Sequence, residues 1–87
     1  MLDRKVIETL VKILEELVLT QEKIDKLREE REFSLYSENM HRKFDLLNQY
    51  YELSTPNEFA FDKMRVLYNK HEIIKELKNL LQLRDIE

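Results

Sequence analysis

The 87-residue chain has no glycine, no cysteine and no tryptophan, and its only proline is Pro56. Each absence closes off a class of structure. Without glycine there is no bare backbone for a phosphate-cradling loop, an oxyanion turn or a tight hairpin. An average soluble chain of this length carries roughly six glycines. Without cysteine there are no disulfides and no thiolate metal sites, which suits a reducing compartment. Long apolar runs are missing too. The apolar residues that follow Met1-Leu2-Asp3-Arg4-Lys5 are interrupted by Glu8, Lys12, Glu15 and Glu16. Neither a secretory leader nor a membrane span of about 20 apolar residues is expected, and the reading is a soluble cytoplasmic protein without a membrane partner.

An excess of charge of one sign is also lacking: 15 Lys and Arg stand against 18 Asp and Glu, a net of −3. Nucleic-acid binders usually carry a basic stripe, so nucleic acid is not the favoured partner. What is present is 43 % apolar and 38 % charged residues, arranged with a helical period. The expected fold is all-α, a single domain over residues 1–87. A domain this small buries only about 60–65 % of its unfolded surface. Association with a further chain is the expected compensation, because disulfides are excluded.

Three helices are predicted, over 2–32, 34–53 and 56–84. The first places Leu2, Val6, Ile7, Leu10, Val11, Ile13, Leu14, Leu17 and Val18 in one half of a helix. Ile24 and Leu27 continue that face, so the helix is read as continuous through Thr20. A wholly charged stretch, Arg28 to Glu32, then breaks the phase, and a joint is expected within 30–37. The second helix carries Phe33, Tyr36, Met40, Phe44, Leu47 and Tyr51 at spacings of three and four, which reads as its inner stripe. Thr55-Pro56-Asn57-Glu58 has the pattern of a capping box, with threonine at the cap and proline at the first helical position. The last helix is apolar over more than half its circumference, with Val66, Ile73 and Leu80 beside Leu67, Ile74 and Leu81. It is expected to lie antiparallel to the helix before the Pro56 turn, and either central or shared between its own chain and another. The architecture is therefore an antiparallel helical hairpin or three-helix bundle, completed by dimerisation to a four-helix or larger bundle.

Chemistry-bearing patterns are sparse. Glu38-Asn39-Met40-His41 has the Glu-x-x-His spacing of helical di-iron sites. Met40 and Phe44 define the inner face in this reading, so Glu38 and His41 point away from it, and no metal or other cofactor is expected. His71 falls on or beside the apolar stripe of the last helix and is expected to be partly buried or to line an interface. Arg65 and His71 form an Arg-x5-His pair that resembles the Arg-x4–6-His motif of the HEPN helical ribonucleases. That resemblance implies a dimer acting on RNA phosphates through these two residues. The family's residue after the arginine is usually polar, whereas Val66 stands here.

The favoured reading is a small non-enzymatic protein acting by protein–protein binding, as an inhibitor, immunity factor, adaptor or assembly element, with a homodimer expected. Its contact residues are expected to be Tyr50, Tyr51, Phe59, Phe61, Val66, Ile73 and Leu80, because aromatic residues anchor interfaces and the last helix has apolar surface to spare. The alternatives are a dimeric nucleic-acid-binding regulator and a small ribonuclease-like enzyme using Arg65 and His71.

Overall fold

The computed structural model describes residues 3–55 and 61–86. They form three helices: α1 (Arg4–Glu30), α2 (Phe33–Ser54) and α3 (Lys63–Ile86). No described helix is long and apolar enough to cross a membrane.

α1 starts where Asp3, in extended backbone, accepts the Val6 N–H on its carboxylate at 2.9 Å, satisfying one of the free amides of the first turn. It continues unbroken through Thr20, whose hydroxyl donates to the Glu16 carbonyl at 2.8 Å. The helix stops at Arg31, which takes the left-handed conformation (φ 58°, ψ 34°). There the Arg31 N–H donates to the Arg28 carbonyl at 3.3 Å and the Glu32 N–H to the Leu27 carbonyl at 3.1 Å. This is the Schellman pattern, in which glycine usually takes the left-handed position. A glycine-free chain places an arginine there instead. The joint thus falls inside the expected interval, at Arg31 and Glu32. α2 follows without a side-chain cap.

α3 departs from the expected 56–84. Phe61 and Asp62 are not helical, and the helix begins at Lys63 with Asp62 as its cap, accepting the Arg65 N–H on its carboxylate at 2.9 Å. Pro56 and Glu58 of the expected capping box lie outside the described residues, while Thr55 is extended. α3 also bends at Asn69 (φ −116°, ψ 17°). The Asn69 amide donates to the Arg65 carbonyl at 3.2 Å and the Lys70 ammonium to the Leu67 carbonyl at 2.9 Å. These side-chain donors bond carbonyls next to the bend, where the regular ladder is disturbed.

α1 is the central helix. α2 packs on one side of it in the opposite direction, with Arg42 meeting Glu16 at 3.0 Å. α3 packs on the other side, also in the opposite direction: Lys78 reaches Glu15, His71 and Ile74 border Val18 and Leu19, and Leu67 and Tyr68 border Gln21. α2 and α3 meet far less extensively and run in the same general sense. One expectation is corrected here: the last helix is not antiparallel to α2. Of the two places expected for it, the central one is taken by α1. The physical reason is the breadth of the buried arc on α1. Val11 and Ile13 flank Leu10, Leu14 and Leu17, and all five are buried, so one helix serves two partners.

The interior cluster joins Ile7 to Leu17 of α1, Leu46, Leu47 and Tyr50 of α2, and Val66, Ile73 and Leu77 of α3. Ile24 is also fully buried but lies outside this cluster. The inner face of α2 is corrected accordingly. Leu46, Leu47, Tyr50 and Ser54 are buried, whereas Phe33, Phe44 and Tyr51 of the expected stripe are 73 %, 52 % and 48 % exposed. α2 is rotated so that Leu46, Leu47, Tyr50 and Ser54 turn inward in place of Phe44 and Tyr51.

Candidate functional site

The residues expected to contact a partner divide into three groups. Tyr50, Val66 and Ile73 are buried in the interior, at 0–3 % exposure, and are corrected from surface to core. Three helices leave a gap between them that needs large apolar filling, and these residues supply it. Phe61 and Leu80 are half-buried and packed against the same cluster. Of the described residues in that set only Tyr51 is exposed, while Phe59 lies outside the described residues.

The burial of Tyr50 has an electrostatic consequence. Removal from water, reinforced by the negative charge of Glu76, pushes its phenol up to about 12 from the ordinary 10. A neutral, buried tyrosine is a structural element here and does no acid–base work near neutrality.

The exposed apolar surface lies elsewhere. Phe33, Leu35, Phe44 and Tyr51 stand out on α2, Met64, Tyr68 and Leu83 on α3, and Leu19 on α1. Phe33 and Phe44 were hidden from sequence reasoning because the spacing of threes and fours fits two neighbouring faces of one helix. The face that is buried depends on the partner helix. Tyr68 flanks the apolar rows of α3 in sequence and is 79 % exposed, the most open of these side chains.

Open grooves lie on both sides of α1. One, of about 490 Å³, is lined by Leu19, Thr20 and Lys23 of α1 and by Asn39 and Arg42 of α2. The Arg42–Glu16 pair crosses it, but both side chains are more than half exposed, so the pair contributes no more than about 1 kcal/mol. The second, between α1 and α3, is bordered by Val18, Leu19, Ile74 and His71. His71 is exposed, which corrects the expectation of partial burial. At the turn end of the hairpin the Arg28 guanidinium lies 5.8 Å from the Tyr36 ring centroid and donates to its hydroxyl at 3.5 Å. That hydrogen bond, and the charge the phenol would carry, hold the Arg28 guanidinium above its usual range.

Arg65 and His71 open onto different grooves. Arg65 stacks on Phe61 at 4.4 Å and borders Asn69, Glu72 and Glu76, while His71 faces Val18 and Leu19 of α1. Six residues apart, they point about 120° from each other around the helix. Glu38 and His41 are both exposed on α2. Among the described residues no group of three or more His, Asp or Glu side chains is placed to hold a metal ion. Comparison with models of known families, with curated proteins and with solved structures returns no match.

Proposed function

We propose that the chain is a small helical protein that acts by binding another protein, with inhibitor, immunity factor, adaptor and assembly element as the forms this action takes. The observation that carries the reading is the set of large apolar and aromatic side chains left open on the helices, Tyr68, Phe33 and Leu19 above all, at 79 %, 73 % and 62 % exposure. Scattered single apolar residues are normal on a surface. Eight of them among the described residues, beside shallow grooves, are surface that a partner would remove from water. The mechanism is steric: a rigid helical face occupies a partner's site. Self-association through such a face belongs to the same reading, and the cytoplasm remains the expected location.

Affinity capture with the intact chain tests this. The wild-type chain is expected to retain a defined protein that Tyr68→Ser or Phe33→Ser chains release, with helicity unchanged by circular dichroism. Equal retention by all three chains would remove the exposed residues from the argument.

A further inference from the structure

Most of the large apolar residues exposed on α2 share one face, with Leu35 on the opposite side. At 100° per residue, Phe33, Met40, Phe44 and Tyr51 fall within an arc of about 40°, forming a stripe from the turn end of α2 to its last turn. Phe33, Phe44 and Tyr51 are about half to three-quarters exposed, and Met40 is half-buried. One flank of the stripe carries Glu38, Asp45 and Glu52 in a row spaced by seven, with His41 among them, all exposed. The other side of the stripe, which turns toward α1 and α3, carries the half-buried Lys43 beside Gln21 and Tyr68 and, over Tyr36, the Arg28 guanidinium of α1. Among the described residues, Glu38, Asp45, Glu52 and Lys43 form no ion pair. The surface is thus an apolar line with unpaired acid on one side and unpaired base on the other.

We infer that this face of α2 binds a second copy of the chain, with the two α2 helices parallel and the two-fold axis running along them. The inference rests on the binding reading above and assigns one surface to it. The charge pattern selects both occupant and orientation. A two-fold axis along the helices carries each flank of the stripe onto the opposite flank of the partner copy. Asp45 of one copy then lies level with Lys43 of the other, and Glu38 comes level with Arg28. Antiparallel pairing would lay the acidic row against itself, which costs rather than stabilises. Between the charged rows, each aromatic or methionine side chain meets its own copy, so the apolar line is covered along its whole length. The chain supplies in this way the additional burial that a domain of its size lacks.

The test is sedimentation of the intact chain over a range of micromolar concentrations. The wild-type chain is expected to dimerise reversibly, and Phe44→Glu to weaken the dimer by about 100-fold or more, since it buries a charge in the apolar line. Circular dichroism checks that this variant remains helical. Asp45→Lys and Lys43→Glu are each expected to weaken the dimer several-fold, and the double variant to recover most of the loss, because both partners exchange sign together. Orientation is read separately. The chain has no cysteine, so Tyr51→Cys introduces a single thiol that forms an intermolecular disulfide with its own copy only in the parallel arrangement. A monomer at all concentrations overturns the inference, as does a dimer indifferent to Phe44→Glu or a Tyr51→Cys dimer that does not cross-link. None of these results touches the capture of a different protein, which stands or falls by its own experiment.

Discussion

The lower part of the hairpin and its upper arm are built from the same two helices but are held in different ways. Below, α1 between Ile7 and Leu17 is packed by α2 on one side and α3 on the other, and the interior is a continuous cluster. Above, from Thr20 to Lys43, only Thr20 and Ile24 are buried, and no α2 residue in that span is. The amphipathic pattern is similar in both parts. What differs is the number of neighbours. A helix packed by two others can bury a broad arc, whereas in the arm, which α3 borders at Gln21 and Lys43, most of the surface faces water. Such an arm is expected to open locally at lower cost than the base.

The largest effect that separates the two regions comes from cavities. Leu14→Ala in the base removes a fully buried side chain from among three helices and is expected to cost about 2–5 kcal/mol in urea denaturation. Ile24→Ala, equally buried but outside the main cluster, is expected to cost about 2 kcal/mol or less, because the arm can close around the gap. It is expected to lower hydrogen-exchange protection in residues 20–42 while leaving the base protected. Equal losses from the two variants, spread over the whole chain, would make base and arm one cooperative unit.

A smaller effect is specific to the base and depends on pH. Because Tyr50 is held neutral, with its phenol raised to about 12 in the folded chain against 10 when unfolded, its contribution is fully present below pH 10. It is lost as the pH rises from 10 through 12, since the unfolded chain releases the proton first. At about 1.4 kcal/mol per pH unit, the loss amounts to no more than roughly 3 kcal/mol. Denaturation profiles of the wild type and Tyr50→Phe between pH 8 and about 12 are expected to diverge in this window, the wild type falling more steeply. Parallel profiles would place Tyr50 in contact with water.

The smallest effect sharpens the description of the arm. Arg31 occupies a backbone region that disfavours side chains with a Cβ, at a cost of about 1 kcal/mol. Arg31→Gly is therefore expected to stabilise the hairpin by about 0.5–1 kcal/mol, seen as a higher denaturation midpoint with an unchanged slope. A neutral or destabilising result would show that the Arg31 side chain offsets its backbone strain by contacts at the turn.

Much of the fold was legible along the chain. The absence of glycine and the 3.6-residue period specify helices, and the charged stretch from Arg28 to Glu32 marks the joint, because a segment with no apolar residue cannot continue a buried stripe. The continuity of α1 through Thr20 follows from the phase of Ile24. The face of α2 was not legible in this way. Phe44 and Leu47 are three residues apart, and either can lead an inward stripe until a neighbouring helix chooses. For the same reason Tyr50, Val66 and Ile73 read as surplus surface although they fill the interior, while Phe33 and Phe44 read as core although they are open.

The start of α3 shows how a strong local signal differs from a tertiary one. Asp62 caps the helix through its carboxylate, and an Asp followed by a lysine in a charged chain is a weaker signal than Thr55-Pro56-Asn57-Glu58. By itself, then, the sequence determined that the chain is helical, where the first two helices part, and that apolar surface exceeds what one helix pair can cover. These follow from backbone preferences and from periodicity, which act within a few residues. Only the tertiary structure decided that α1 is the centre, that α3 lies along it rather than along α2, and which aromatic residues remain outside. Those choices depend on how side chains from distant segments fill a common interior, and no local pattern contains that volume.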